Sequence, residues 1–289
     1  MIIYLNGQYV KEEEARLSPF DHGFLYGIGV FETFRLYEGE PFLLDWHMDR
    51  LNNALEQLRI ELELTKSEVL AILDRLLQLN QPPNLNAKVR LNISAGPGDS
   101  GLFPDSYKKP GVMVMMNPFH PESIPVEKEG VILQVRRNTP EGPFRLKSHH
   151  FLNNLFGKRE LGPDAAKEGI FLTEGGAVAE GIISNIFWEK DGCVYTPSLD
   201  TGILGGVTRR YVIERLADMG IEVMQGVYPL KELLFADEAW MTNSVQEIVP
   251  FRRIGSTQFP GKDGNLSKRL QEAYTNDRKA AKDYISIKG

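Results

Sequence analysis

A lysine, a carboxylate and a glycine-rich loop before a helix are the features of this sequence best suited to chemistry. Lys147 lies at the centre of the stretch Arg145-Leu-Lys-Ser-His-His-Phe-Leu. A lysine amine whose pKa is lowered by burial or by nearby positive charge attacks carbonyl carbons and transfers protons at neutral pH. Because most lysines lie on solvated surface, Lys147 is interpreted only together with the other two features.

Glu180 follows three small or apolar residues and begins the apolar segment Glu180-Gly-Ile-Ile-Ser-Asn-Ile-Phe-Trp188. A carboxylate in this position is either exposed at the end of a hairpin or buried with a cationic partner. Burial without a partner would cost several kcal/mol. The sequence leaves both alternatives open.

The glycine-rich loop Gly202-Ile-Leu-Gly-Gly-Val-Thr208 runs into a predicted helix. Glycines here let backbone N–H groups point at an anion, and both the helix N-terminus and the Thr208 hydroxyl favour such a ligand. The loop lacks the Gly-Lys-Ser/Thr ending of a Walker A motif. A phosphate site and a plain tight turn both fit this stretch, and the donor-rich loop 241–250 would complete a phosphate site.

Two earlier segments carry further candidates. In the strand predicted from Val30 to Leu36, period two places Phe31, Thr33 and Arg35 on one face. That face either lines a ligand site or belongs to an ordinary half-buried strand.

Arg50 lies near the start of a helix predicted from Trp46 to about Ile60, with Asp45 as its N-cap. The helix dipole favours anions at this end, so the arginine indicates an anionic partner. That partner is either a ligand or an acid such as Asp49 in a surface ion pair.

The composition describes an ordinary globular protein of 289 residues, 42% hydrophobic and 25% charged. The net charge of -6 and the lack of a basic cluster argue against nucleic-acid binding. A single cysteine, Cys193, excludes an intrachain disulfide. No signal peptide is recognisable, and no apolar run approaches the roughly 20 residues that span a bilayer. We therefore expect a cytoplasmic protein without membrane or nucleic-acid partners.

The pattern of elements predicts an α+β fold with two domains. An N-terminal α/β domain covers residues 1–117, a proline-rich linker covers 118–127, and a C-terminal domain with Lys147 covers 128–289. The predicted elements are a hairpin at 2–10, helices at 66–79, 152–161 and about 267–284, strands at 87–94, 111–116 and 131–136, and a second hairpin at 170–180.

These features together resemble the fold type IV pyridoxal-phosphate enzymes, which include branched-chain and D-amino-acid aminotransferases and aminodeoxychorismate lyases. The resemblance runs from Tyr4 to about Arg253. It is carried by Tyr26-Gly-Ile-Gly-Val-Phe-Glu-Thr-Phe-Arg35, His47-Met-Asp-Arg-Leu51, Lys147 with Leu152-Asn-Asn, Glu180-Gly-Ile-Ile-Ser-Asn-Ile-Phe187, Gly206-Val-Thr-Arg209 and Asp237-Glu-Ala-Trp-Met-Thr-Asn-Ser244.

The resemblance implies a two-domain, D-amino-acid-aminotransferase-like fold, a homodimer and pyridoxal phosphate as cofactor. Lys147 would form the Schiff base with the cofactor, and Glu180 would pair with its pyridine nitrogen. The other residues expected to contact the cofactor are Arg50, Val207, Thr208 and Ser244 at the phosphate and Leu204 on the ring face. No metal ligand set is recognised.

Within the family the chain most resembles the Bacillus-type aminodeoxychorismate lyases, through Phe20-Asp-His-Gly-Phe-Leu-Tyr-Gly-Ile-Gly, Arg145-Leu-Lys-Ser-His-His and Thr196-Pro-Ser-Leu-Asp-Thr-Gly-Ile-Leu. The implied reaction converts 4-amino-4-deoxychorismate to p-aminobenzoate and pyruvate, for folate synthesis. Thr33 would help Lys147 by protonating the departing enolpyruvate, and Arg90 and Tyr26 are the expected substrate-binding residues. The alternative is a branched-chain or D-amino-acid aminotransferase with the same cofactor.

Two departures from the family pattern bear on this choice. Many relatives have Ser/Thr-Arg-Gly where this chain has Ser94-Ala-Gly96. The missing arginine binds carboxylate in D-amino-acid aminotransferases, so its absence argues against that activity. Phe151 stands where relatives often have a tyrosine near the phenolic oxygen of the cofactor, so that hydrogen bond would have to come from another residue.

Overall fold

The computed structural model describes residues 1–99, 101 and 103–286, with the backbone alone for 281–286. The chain divides into two compact units. The first holds Met1–Pro121 and Leu146–His150, and the second holds Glu122–Arg145 and the chain from Phe151 onward. The mixture of helices and sheets confirms the α+β class. The division places Lys147 in the first unit, whereas the sequence assigned it to the C-terminal domain.

An antiparallel sheet with the strand order β2-β1-β6-β5-β3-β4 forms the first unit. The predicted hairpin and the strand at 87–94 are present, and the strand predicted at 111–116 extends to Pro118. The elements are β1 (Ile2–Leu5), β2 (Gln8–Lys11), α1 (His22–Tyr26), β3 (Gly29–Tyr37), β4 (Glu40–Pro41), α2 (Leu44–Gln57), α3 (Lys66–Asn80), β5 (Ala87–Ser94) and β6 (Gly111–Pro118).

One face of this sheet packs against α2 and α3. The alternate residues Val30, Phe34 and Leu36 of β3 are buried there with the leucines of both helices. Burial of these apolar side chains stabilises the unit, at roughly 25 cal/mol per Å² of apolar surface. The other residues of β3, among them Phe31 and Thr33, therefore face away from the helices.

The helices α2 and α3 differ in how their N-termini are capped. Thr65 caps α3 in a capping box, in which its side chain accepts from the Glu68 N–H and the Glu68 carboxylate accepts from the Thr65 N–H. The predicted N-cap of α2, Asp45, is wrong, because the helix already begins at Leu44 and its cap is Leu43 in a left-handed conformation (φ 57°). Asp45 instead lies in the first turn, where a negative charge suits the helix dipole.

A larger mixed sheet with the order β12-β11-β10-β13-β14-β7-β8-β9, with β15 paired to β14, forms the second unit. The predicted hairpin at 170–180 is β8 and β9, whereas the strand predicted at 131–136 lies earlier, at Lys128–Ile132. The elements are β7 (Lys128–Ile132), α4 (Leu152–Leu161), β8 (Lys167–Leu172), β9 (Val178–Gly181), β10 (Asn185–Lys190), β11 (Cys193–Pro197), α5 (Val207–Asp218), β12 (Val223–Gly226), α6 (Leu230–Leu234), β13 (Glu238–Asn243), β14 (Glu247–Ile254), β15 (Thr257–Gln258) and α7 (Asn265–Ser286).

The charge pattern of the terminal helix α7 favours a surface helix, but one side of the helix is buried. Leu266, Leu270 and Tyr274 are buried, and the Tyr274 ring packs edge-on against Tyr211 of α5. Asp277 accepts a hydrogen bond from the Tyr211 hydroxyl at 2.6 Å. The apolar residues at spacings of four bury one stripe of the helix.

In the described part of the chain, no helix combines the length and the apolar character needed to cross a membrane.

The core of the first unit makes a testable prediction on α3. Leu76 is 0% exposed and Leu79 is 37% exposed on the same helix. We expect Leu76→Ala to lower the free energy of unfolding by about 2–5 kcal/mol, because it leaves a cavity. Leu79→Ala should cost less than about 1 kcal/mol. Urea denaturation of both variants checks this, and equal losses would contradict the assignment of Leu76 to the core.

Candidate active site

The Lys147 segment lies along the edge of strand β3. The Phe31 N–H donates to the Lys147 carbonyl at 2.9 Å, and the His149 N–H donates to the Gly29 carbonyl at 3.0 Å. Leu146 is half-buried and packs against the core of the first unit. Because side chains alternate along an extended segment, Lys147 and His149 lie on the opposite side from Leu146. The Lys147 amine accordingly lies 4.7 Å from the centre of the Phe31 ring.

Position 29 must be a glycine, because the His149 ring occupies the space that a side chain would fill. A Cβ at this position would lie 2.3 Å from Cε1 of the His149 ring and 2.6 Å from the Ile93 carbonyl oxygen. The glycine lets the Lys147 segment approach β3 closely enough to form the two backbone hydrogen bonds.

The register of β3 and β5 brings together polar residues that are far apart in sequence. Thr33 is directly opposite Arg90, and Phe31 is directly opposite Asn92. Residues opposite each other in an antiparallel pair share a face. Thr33, Arg90 and Asn92 therefore lie on the same face of the sheet as the Phe31 ring.

Arg90 is held on this face by an aromatic ring and an amide. Its guanidinium carbon lies 3.6 Å from the centre of the Phe31 ring. Its Nε and Nη2 donate to Asn92 Oδ1 at 3.4 and 3.2 Å, and His149 Nε2 lies 3.1 Å from the same oxygen. Burial lowers the pKa of Arg90. Among the residues that the structure describes, no carboxylate pairs with this guanidinium.

Arg50 already has a carboxylate partner in this structure. Its Nε and Nη2 donate to the two oxygens of Glu32 at 2.7 and 2.6 Å. His47 Nδ1 lies 2.7 Å from Glu32 Oε2, and both side chains are 1% exposed. Glu32 is thus the acid that the position of Arg50 indicated, and it is a buried residue instead of the surface acid Asp49.

The charges in this cluster balance within the core. Burial raises the pKa of the Glu32 carboxyl, but Arg50 and His47 lower it more, to about 2. Burial lowers the pKa of His47, and Arg50 and Lys147 lower it further, although Glu32 raises it. At neutral pH the cluster is therefore an ionised Glu32–Arg50 pair with a neutral His47 that donates its Nδ1 proton.

Tyr26 holds the neighbouring loop in place. Its hydroxyl accepts from the Gly101 N–H at 2.7 Å, and its ring packs against the rings of His22 and Phe103 at centroid distances of 4.9 and 5.2 Å. The hydroxyl therefore has a backbone partner. Its expected contact with substrate stays a prediction.

Glu180 lies on β9 in the second unit and is 4% exposed. Its Oε1 accepts from Arg137 Nε at 2.8 Å and lies 3.7 Å from Arg145 Nε. Its Oε2 accepts from the Leu204 N–H at 3.0 Å. Of the two alternatives left open by the sequence, burial with a cationic partner is therefore the one observed.

The loop before α5 is shaped by Asn185. Its Nδ2 donates to the Leu204 carbonyl at 2.8 Å, and a Cβ at Gly206 would lie 2.1 Å from its Oδ1. Gly206 is the N-cap of α5 and has no side chain to satisfy the first N–H groups of the helix. Thr208 Oγ1 lies 3.3 Å from Ser244 Oγ. The loop therefore brings the helix N-terminus and two hydroxyls together.

These residues fit the chemistry that pyridoxal phosphate requires. The helix N-terminus at Val207 with the Thr208 and Ser244 hydroxyls provides donors for a phosphate. An ionised carboxylate accepts about four hydrogen bonds, so Glu180 retains acceptor sites beyond those used by Arg137 and Leu204. Within the second unit, these donors and acceptors therefore match an anionic group and a basic ring nitrogen.

Sequence reasoning missed the residues that orient the candidates. Arg137 and Arg145 hold Glu180, Asn92 holds Arg90, and Glu32 holds Arg50. The period-two spacing of Arg90 and Asn92 on a predicted strand was a usable signal for one of them. The other partners come from distant segments, and no local pattern identifies them.

His149 makes the stability of the protein depend on pH. Burial first, and then Arg90 and His150, lower its pKa from 6.5 to about 4, although Asp21 raises it. The unfolded chain therefore binds a proton at higher pH than the folded chain. The free energy of unfolding should fall as the pH falls from about 6.5 to about 4.

We expect His149→Phe, which cannot bind this proton, to lose less stability than the native chain between pH 7 and pH 5. Urea denaturation at the two pH values measures the loss. An equal loss in both proteins would show that His149 does not contribute.

Comparison with known proteins finds lyases among the proteins similar to this chain. The aminodeoxychorismate lyase of Bacillus subtilis (strain 168) is 59% identical over 288 residues, covering 100% of this chain and 97% of that protein. A crystal structure of 4-amino-4-deoxychorismate lyase from Pseudomonas aeruginosa has a TM-score of 0.83 at 26% identity and covers 95% and 98% of the two chains.

An aminotransferase has a similar fold, and a family model covers most of the chain. The branched-chain aminotransferase of Thermoproteus uzoniensis has a TM-score of 0.85 at 28% identity and covers 96% of this chain and 94% of that one. The Amino-transferase class IV family matches residues 29–254. The chain therefore belongs to the class IV aminotransferase family, the fold type IV enzymes that its motifs resemble.

Proposed function

We propose that this chain is an aminodeoxychorismate lyase, a pyridoxal-phosphate enzyme that converts 4-amino-4-deoxychorismate to p-aminobenzoate and pyruvate. The observation that carries the proposal is the 59% identity to the Bacillus subtilis lyase along the whole chain. At this identity and coverage, the chemistry of the relative is the best guide to that of the chain. The product p-aminobenzoate would serve folate synthesis.

Pyridoxal phosphate, when bound, supplies an aldehyde for the substrate amine and a ring that accepts electrons. In this proposal Lys147 holds the aldehyde, and Glu180 holds the pyridine nitrogen. Arg50, Val207, Thr208 and Ser244 bind the phosphate, and Leu204 packs on the ring. Arg137 and the Leu204 N–H support the Glu180 role, because they fix the carboxylate while leaving acceptor sites.

Lys147 is the proton-transfer residue of the proposed reaction. Its amine takes the proton from the substrate ring carbon that carries the nitrogen. The bond between the neighbouring carbon and the enolpyruvyl oxygen then breaks, and the ring becomes aromatic. The departing enolpyruvate gains a proton and becomes pyruvate, so no oxidant or reductant is consumed.

Thr33 and Arg90 are the proposed residues on the substrate side. Thr33 lies half-buried directly opposite Arg90 in the sheet, and its hydroxyl would protonate the departing enolpyruvate. Arg90 would bind a substrate carboxylate. The absence of a carboxylate partner for Arg90 among the described residues supports this role.

A fold type IV aminotransferase remains the alternative, since the aminotransferase of Thermoproteus uzoniensis has a fold as similar as that of the lyase from Pseudomonas aeruginosa. Lys147 and Glu180 would serve both reactions. Ala95, which is 1% exposed, occupies the place of an arginine that binds carboxylate in D-amino-acid aminotransferases. This difference supports the lyase over that member of the family.

We also propose that the protein is a cytoplasmic homodimer without nucleic-acid or membrane partners. The family implies the dimer. Apolar side chains on α4 support it, since Leu152 is 67%, Leu155 40% and Phe156 50% exposed. A contiguous exposed apolar stripe is typical of a surface that another protein covers.

The first test is the release of p-aminobenzoate from aminodeoxychorismate by the native protein and by Lys147→Ala. We expect the variant to lose both the release and the absorption band of the lysine-bound cofactor. Lys158→Ala changes an exposed lysine on α4 and should retain both.

Two results would count against the proposal. Full release by Lys147→Ala would refute the role of this lysine. A native protein that carries the cofactor band but releases no p-aminobenzoate would be the aminotransferase instead. Amino acids that convert the bound cofactor to its amine form would then identify the substrate.

Light scattering tests the dimer. We expect the native chain of 32.6 kDa to have twice this mass in solution. Leu155→Glu, which places a charge in the apolar stripe of α4, should shift the protein to the monomer and lower its activity. A native monomer with full activity would contradict the dimer.

A further inference from the structure

The strongest unassigned feature is the polar cluster of Arg90, Asn92 and His149. Arg90 Nε and Nη2 and His149 Nε2 all lie within 3.4 Å of one atom, Asn92 Oδ1. Arginine N–H groups only donate, so the atom that faces them is the amide oxygen. The three contacts therefore fix the orientation of the Asn92 amide, and they involve its Oδ1 but not its Nδ2.

The same contacts fix the proton on His149. The pKa of His149 is lowered to about 4, mainly by burial, so the ring is neutral at pH 7 and has one N–H. Because Nε2 faces an acceptor, that proton is on Nε2. His149 therefore donates to Asn92, and its ring lies near-parallel to Phe31, at an interplanar angle of 27°.

The cluster presents donors that its own members do not use. Among the described residues, none accepts a hydrogen bond from Asn92 Nδ2, and none offers a carboxylate to Arg90. Both side chains are half-buried on the face that carries Phe31 and Thr33. The Lys147 amine lies over the same Phe31 ring as the Arg90 guanidinium. An anion bound by these donors would therefore lie beside the reactive lysine.

We propose that Asn92 binds a substrate carboxylate together with Arg90, and that His149 is a positioning residue that keeps the Asn92 amide in the binding orientation. The inference rests on the proposed lyase function, whose substrate carries two carboxylates. A guanidinium and an amide N–H side by side form a two-donor site for one carboxylate. The pair also selects for an anionic substrate, because a neutral one would leave a half-buried guanidinium without a partner.

Asn92→Asp separates this role from a structural one. The aspartate keeps an oxygen for Arg90 and His149, so the fold should be retained, but it places negative charge where the amide N–H was. We expect the KM for aminodeoxychorismate to rise about 10- to 100-fold, with kcat changed less than about threefold, because like charges repel. Asn117→Asp adds the same charge at an exposed position of β6 and should leave both constants unchanged.

Product inhibition shows which carboxylate is bound. p-Aminobenzoate carries the ring carboxylate, and pyruvate carries the carboxylate of the side chain that leaves. In Asn92→Asp the inhibition constant of one of these two products should rise about tenfold, and that product identifies the group. A KM and both inhibition constants within about twofold of the native values would overturn the proposal.

His149 variants test the positioning role. Gln has an Nε2–H that can replace the imidazole donor, so His149→Gln should keep KM within about threefold of the native value. His149→Phe retains the ring but not the donor, and we expect its KM to rise about five- to tenfold. Equal KM values in the two variants would refute the role of the hydrogen bond.

Direct binding keeps this inference distinct from the lyase assignment. The dissociation constants of p-aminobenzoate and pyruvate are measured by calorimetry on native, Asn92→Asp and Asn117→Asp holoenzyme. Weaker binding in Asn92→Asp alone supports the carboxylate site even if the native protein releases no p-aminobenzoate. Equal binding in all three proteins overturns it even if the native protein is an active lyase.

Discussion

The alternation of side chains along the Lys147 segment is the constraint on which the first unit's candidate residues depend. Two backbone hydrogen bonds to β3 fix the register of this segment, and the half-buried Leu146 packs against the core. With that register, Lys147 and His149 must face the Phe31 ring. A shift of one residue would turn the lysine into the core and Leu146 out of it, so the packing energy of an apolar side chain helps to aim the reactive amine.

The two faces of the first unit's sheet differ in whether an arginine on that face is paired with a carboxylate. On the core face, the bidentate pair of Glu32 and Arg50 has its charge balanced, as burial requires. On the other face, Arg90 has aromatic and amide contacts but no carboxylate among the described residues. A positive charge held without a counter-ion attracts an anionic ligand more strongly than one already in an ion pair. Glu32 therefore positions Arg50, the proposed phosphate ligand, whereas the charge of Arg90 suits a carboxylate of the substrate.

The sequence predicts the elements with clear periodicity and fails where distant segments decide the outcome. Strand β5 has the predicted bounds, because the alternation along it is a local signal. Asp45 resembles an N-cap, yet Leu43 takes that place because the chain enters α2 through a left-handed residue. Lys147 was assigned to the C-terminal domain because it follows the proline-rich segment. Its pairing with β3 spans more than a hundred residues, which no local pattern encodes.

The choice between lyase and aminotransferase depends on substrate binding more than on the reactive groups. Both reactions need an amine that moves a proton and a carboxylate that holds the cofactor nitrogen, and Lys147 and Glu180 suit either. An amino acid offers one α-carboxylate, whereas aminodeoxychorismate also presents a leaving group with its own carboxylate. An enzyme for the second substrate therefore needs anion donors placed beyond the reacting nitrogen. Arg90 and Asn92, on the same face of the sheet as Thr33, are proposed donors of this kind, and they would serve a substrate with two carboxylates.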